Sequence, residues 1–455
     1  MHGVEGRVTA LFPGRWRAWL KSLDHHHRQI AQGMFAVGFF VLIGKFAGAA
    51  KEMAVAWRYG VSETVDAYLF VFNLAQWPIS IWAGVVGAVL IPFAARLRHE
   101  SLGVLPRFRA ELLGATLLLG ITLGAFTWLV LPWLIQQPWV GFKPETAELA
   151  SGMANAMAWM IPFGLVSNLF AAWTMSAGRH FNTLLEGVPA LVILAAVLLF
   201  SGGSRPLVWG TLLGFALQAV LLYTPLRWRG EAERPVFRFR SEHWAAFFAG
   251  FGLMLVGQTL MSVTTLVDQF FAARLGPGAL STLGYSNRIL ALVLGLGAMT
   301  IGRAALPVLS RAHAESGAQV GQLVRGWAGL LFLIGLVVTV VGIVLAPLIT
   351  EFLFQRGAFT VDDTQRVADV LRYALVQVPF YFVSMVLMQA LLSQSFYAVV
   401  ATISGISLIV KIALSWLLVP AMGLAGLLLA TSAVYAISVG LCWIVLTLED
   451  RQGKV

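Results

Sequence analysis

The chain has 455 residues, of which 59% are hydrophobic and only 11% charged, with a mean hydropathy of +0.81. A soluble domain carries about 25% charged residues, so this composition excludes an ordinary globular enzyme and points to a polytopic membrane protein. The formal charge of +10 is not a nucleic-acid signal, because the basic residues lie in short segments between apolar runs, where they read as topology determinants.

The apolar runs are too long for barrel strands, so the predicted class is all-α. Some twelve membrane-spanning helices can be drawn, near 30–57, 66–95, 109–135, 150–176, 182–202, 206–226, 243–273, 280–310, 319–349, 365–393, 397–419 and 423–447. Before the first run lie about 30 mixed polar residues, without the short apolar region and cleavage site of a signal peptide. They include His25, His26 and His27, which read as a solvated flank, with binding of a metal or headgroups as the alternative. The single cysteine, Cys442, sits in an apolar run, which excludes a disulfide framework or a Cys-based metal site.

Basic residues crowd one set of connections. The amino terminus carries Arg7, Arg15, Arg17, Lys21 and Arg28, the next connection on that side Arg96, Arg98, Arg107 and Arg109, and the centre Arg227, Arg229, Arg234, Arg238 and Arg240. Arg179, Arg311, Arg325, Arg451 and Lys454 continue the set. The positive-inside rule then puts both termini in the cytoplasm. The predicted domains are a cytoplasmic segment 1–29, a six-helix lobe 30–226, a basic linker 227–242, a second six-helix lobe 243–447 and a tail 448–455.

The two lobes resemble each other. Ala56-Trp57-Arg58-Tyr59-Gly60 corresponds to Ala272-Ala273-Arg274-Leu275-Gly276, Ile91-Pro92 to Leu306-Pro307, and Ile161-Pro162-Phe163 to Val378-Pro379-Phe380, at offsets of 215–217 residues. Six helices per lobe makes the repeat parallel, an arrangement that builds transporters rocking about a site at the repeat interface. The expected architecture is therefore two parallel six-helix pseudo-repeats around a central cavity.

Ionisable groups inside spans are costly, about 2.5–3.5 kcal/mol each on insertion scales, and mark function or internal pairing. The first helix carries Lys45, Lys51 and Glu52, and the second opens with Asp66; Asp268, Arg288 and Lys411 follow in the second lobe, and Glu186 in the first. One reading makes Lys45, Lys51 and Arg288 a cationic site for an anionic group such as a diphosphate. The other makes them structural, with Lys51 paired to Asp268 or Glu52 to Arg288. Lys411 either binds substrate, stands where a cation would sit, or pairs with a carboxylate such as Glu186. Asp66 follows a turn and reads as the N-cap of its own helix, and Glu186 as a dipole-favoured acid near a helix start. No nucleophile–base set and no GxxxxGK[ST] sequence occurs, so transport is expected rather than catalysis.

The first hairpin, through Gly48, Glu52, Ala56, Gly60, Asp66, Ala67 and Pro92, resembles the MurJ/MviN lipid II flippases of the multidrug/oligosaccharidyl-lipid/polysaccharide exporter superfamily. The resemblance continues through Tyr285-Ser286-Asn287-Arg288-Ile289-Leu290, Phe354-Gln355-Arg356-Gly357-Ala358-Phe359-Thr360 and Val419-Pro420 with Gly423-Leu424-Ala425-Gly426-Leu427. It implies that Lys45 and Lys51 replace two arginines of the family, that Glu52, Asp66 and Arg288 keep its charged residues, and that Ile79 replaces a basic one. The family adds two helices beyond these twelve spans. The implied function is translocation of a polyprenyl-diphosphate-linked saccharide by alternating access across the bacterial cytoplasmic membrane. Lys45, Lys51 and Arg288 would bind the diphosphate, and Glu52, Asp66, Asp268 and Lys411 would gate or pair. No cofactor is expected, with coupling to the membrane potential or to Na+ or H+; the implied partners are membrane lipids and the cell-envelope glycan synthesis machinery. An exopolysaccharide or O-antigen unit, or small cations exported by a multidrug pump of the same superfamily, are the alternative cargoes.

Overall fold

A computed structural model describes residues 25–97, 104–179, 182–295, 297, 317–394 and 396–452. Arg7, Arg15, Arg17, Lys21, Arg98, Leu306, Pro307, Arg311 and Lys454 lie outside the described residues. Every regular element among the described residues is helical. In chain order these are α1 (His25–Tyr59), α2 (Glu63–Leu97), α3 (Val104–Ile135), α4 (Pro144–Met157), α5 (Met160–Ser176), α6 (Asn182–Leu185), α7 (Val188–Leu199) and α8 (Arg205–Trp228). They continue with α9 (Trp244–Ala273), α10 (279–295), α11 (Gly317–Phe354), α12 (Val361–Leu375), α13 (Val378–Ser393), α14 (Tyr397–Met422) and α15 (Leu424–Gln452).

Among the described residues, nine helical stretches are long and apolar enough to cross a membrane, and the pair α4–α5, bent by 45°, makes a tenth. The two remaining predicted spans correspond to α1 and to α10, which runs toward residues outside the described set. Pro78 and Pro92 lie inside the continuous α2, but two other prolines stand just after a break in a predicted span. Pro162 and Pro379 sit in the first turns of α5 and α13, where a missing N–H leaves no intrahelical bond unmade, so the predicted spans 150–176 and 365–393 each break just ahead of a proline. Buried hydroxyls donate back to their own helices, as in Thr116 to Leu112 O at 2.7 Å, Thr174 to Phe170 O at 2.8 Å and Thr211 to Leu207 O at 2.7 Å. That local bond satisfies a polar group where no water is at hand.

Packing divides the chain into two compact units. The first comprises Met1–Ala54, Pro78–Leu129 and Asn155–Met254, the second Val55–Trp77, Val130–Ala154 and Leu255–Val455. The division assigns the α1–α2 turn and the 130–154 segment to the second unit, whereas the repeat in the sequence groups them with the first lobe.

In the first unit, Gly120 of α3 meets Pro162 of α5 so closely that a Cβ would overlap the proline backbone. In the second unit, Gly335 of α11 meets Pro379 of α13 in the same way. Small residues thus let helices approach at matching places. The first unit also holds the basic 227–242 segment against its helices. Val236 N–H donates to Ala110 O (3.0 Å), and the buried Glu111 carboxylate accepts from Ser241 N–H (3.0 Å) and the Trp244 indole (2.8 Å). Arg179 and Glu231 form a two-pronged ion pair at 2.6 and 3.1 Å. The linker is therefore a docked strap.

Candidate functional site

The charges of α1 come first. Lys45 is exposed beside Leu42 and Phe46, and Gly48, one turn further, leaves open space above its Cα. Among the described residues Lys45 joins no ion pair. Lys51 is buried and pairs with Glu52 at 2.7 Å. Neighbouring side chains leave a helix about 100° apart, so only the long flexible lysine stem lets this pair form. The pair gives Lys51 a counter-charge on its own helix, whereas Lys45 is exposed. In the second unit, Arg288 is the exposed member of its turn of α10, flanked by buried Tyr285, Ser286, Ile289 and Leu290.

Asp66 departs from the sequence expectation in an informative way. Its own amide lies inside α2, bonded to Ser62 O at 2.9 Å, so it does not cap that helix. Instead its carboxylate, only 2% exposed, accepts the amides of Gly278 and Ser281 (the latter at 2.6 Å) at the start of α10. A carboxylate on the unpaired amides of a helix start combines charge-assisted hydrogen bonds with a favourable dipole. The chemistry is that of an N-cap, applied to a helix 212 residues away.

Around this cap the second unit builds a distal cluster at the end of α1 where the chain turns into α2. Gly60 turns with φ +57°, and its carbonyl accepts the Tyr285 hydroxyl at 3.0 Å. Ala358 N–H donates to Trp57 O at 2.7 Å. Gly357 (φ +63°) lies so close to Trp57 that a Cβ would overlap the Trp57 carbonyl, and a Cβ on Gly60 would overlap Ala358 O. Both positions demand glycine twice over, for backbone conformation and for space. Phe354 and Phe359 close on Tyr285, with ring centroids 5.0 and 5.3 Å away. Thr360 then starts α12 with a reciprocal capping box to Asp363. Each residue of Phe354-Gln355-Arg356-Gly357-Ala358-Phe359-Thr360 thus has a local task; Gln355 accepts the Thr364 hydroxyl at 2.8 Å, and Arg356 donates to Phe352 O.

Another buried charge of the second unit is Lys411, 2% exposed. Its ammonium pairs with Asp268 Oδ1 at 2.7 Å and donates to Leu427 O at 3.0 Å and to Thr431 Oγ1. Glu186, named from sequence as a possible partner, is exposed just ahead of α7, in keeping with the dipole reading. The sequence reading missed Tyr285, Leu427 and Thr431 as partners and passed over Glu111. A carboxylate placed between Arg107, Arg109 and an apolar run was the available signal for Glu111. Nothing in the sequence distinguishes the carbonyl of Leu427.

A multi-span all-helical chain with paired charges in its spans and a capped distal cluster defines a polytopic membrane transporter. The sequence profile described as "Lipid II flippase MurJ" matches residues 55–453. The chain belongs to this family. It is 34% identical over 234 residues to a "Probable lipid II flippase MurJ" of Bdellovibrio bacteriovorus, covering 49% of this chain and 43% of that relative. With the protein of the same description from Thermotoga maritima it shares 27% identity over 418 residues, 88% of this chain and 82% of the relative. The solved structure described as "Lipid II flippase MurJ, inward closed conformation" superposes with a TM-score of 0.78 over 91% of this chain and 89% of that one, at 18% identity, a likeness of fold.

Proposed function

We propose that this chain translocates a polyprenyl-diphosphate-linked saccharide of the lipid II class across the bacterial cytoplasmic membrane, by alternating access and with both termini in the cytoplasm. Family membership supports the cargo class. The observation that carries the mechanism is the Asp66 cap, with the Tyr285–Gly60 and Ala358–Trp57 bonds beside it. Together they tie the α1–α2 turn to α10 and to the 354–360 loop through a few polar bonds and one aromatic cluster. Contacts of that kind can part and reform without unfolding a helix, as a gate requires.

In this reading Lys45 and Arg288 bind the diphosphate, and Lys51 joins them when Glu52 releases it. Lysine offers phosphate a point charge, whereas the Arg288 guanidinium adds a planar fork. Glycan export in a strain dependent on this chain tests the assignment. Arg288→Ala and Lys45→Ala should each abolish complementation while the protein stays in the membrane at normal abundance. Full export by both variants would remove the cationic site from the account.

A further inference from the structure

We propose that Lys411 is a tethered cation: its ammonium fills an oxygen-lined cradle formed by α9, α14 and α15 that would otherwise take a free alkali-metal ion, so this chain needs none there. Three kinds of oxygen converge on Nζ: a carboxylate from Asp268 at 2.7 Å, a backbone carbonyl from Leu427 at 3.0 Å, and the Thr431 hydroxyl. The Thr431 hydrogen points to Leu427 O at 3.2 Å, which leaves its oxygen lone pairs for the ammonium. Ser415, fully buried one helical turn beyond Lys411 on α14, carries a hydroxyl with no hydrogen-bond partner among the described residues. Residues four apart share a helix face, which puts Ser415 on the same side of α14 as Lys411.

Carboxylate, carbonyl and hydroxyl oxygens are the ligands that hard cations choose. An ammonium with three N–H donors satisfies the same set by hydrogen bonding. With one acid and one tethered base the cradle is neutral, and a second positive charge in the same shell would be repelled. Removing only the lysine leaves a carboxylate without its counter-charge, the costly state for a buried ion.

Thermal unfolding of the purified full-length chain, in choline chloride against lithium, sodium or potassium chloride at constant ionic strength, tests the idea without reference to cargo. The wild-type midpoint should be indifferent to the cation. Lys411→Ala should unfold several degrees lower in choline and recover saturably in at least one alkali chloride, as expected for a ligand that binds only the native state. Adding Asp268→Asn should erase that recovery. Lys411→Met, which refills the space without charge, should be lowered equally in every salt. A Lys411→Ala midpoint that is the same in all salts overturns the proposal. Should that variant not fold, radioactive sodium binding to the wild-type chain decides: saturable binding lost in Asp268→Asn overturns the tethered cation, and absence of binding upholds it.

Discussion

Replacing Asp66 by alanine removes both acceptors from the start of α10, where the carboxylate now receives the Gly278 and Ser281 amides. Hydrogen bonds to a charged group contribute about 1.5–3 kcal/mol each. Water entering an opened site recovers part of this, so a net loss of about 3 kcal/mol is a reasonable working figure, or roughly a hundredfold in the closed-to-open ratio of the distal cluster. Asp66→Asn keeps one carbonyl acceptor but loses the charge, and should cost about half as much, roughly tenfold. The readout is a cysteine at Val61, whose side chain lies against Gly278, labelled by a membrane-impermeant maleimide from the distal face. Cys442 is the chain's single cysteine and is buried, so Cys442→Ala gives a clean background. When opening is fast relative to labelling, the rate follows the open population. Rates should rise from wild type to Asp66→Asn to Asp66→Ala. Equal labelling in all three, in stably folded proteins, would refute the claim that this carboxylate holds the distal end closed.

Two further substitutions test the packing. Gly357→Ala must both adopt φ +63° and displace Trp57, so it should break the Ala358–Trp57 bond and abolish export. Gly178→Ala, at φ +68° with open space around it, isolates the backbone strain of about 1–2 kcal/mol and should keep export; loss of activity in both, or in neither, would contradict the steric argument. Glu111→Ala strands the Ser241 amide and the Trp244 indole at about 1–3 kcal/mol each. Limited trypsin digestion should then cut at Arg238 or Arg240 much faster than in the wild type, and unchanged cutting would mean the strap is held elsewhere.

Apolar runs and prolines made most of the fold legible in the sequence, because in lipid a backbone must bond to itself and length alone marks a span. Pro162 and Pro379, matched in the sequence repeat, both stand in the first turn of a helix that follows a break. The partners of the charges were much less legible. Asp66 had the right chemistry and the wrong helix, since backbone amides at a distant helix start leave no side-chain signature. Lys51 pairs with the residue beside it, which helical spacing argues against and lysine flexibility allows. Asp268 and Lys411 were both singled out, but pairing them needs the packing of α9 against α14, which no local pattern encodes. The Phe354–Thr360 run stood out as a motif, and only the fold shows that its glycine seats on Trp57 while its threonine starts a helix.

The account's central claim is that cations on this chain carry a lipid-linked diphosphate across a bilayer. Its most direct test is translocation in vesicles that hold the purified protein and a polyprenyl-diphosphate-linked saccharide, followed with a membrane-impermeant reagent that reacts with the sugar on one face. The account predicts that wild-type protein brings the pool from the far leaflet into reach of the reagent, that Arg288→Ala does not, and that a polyprenyl saccharide lacking the diphosphate stays behind. Equal exposure in protein-free vesicles, or equal movement of the lipid without its diphosphate, would contradict it.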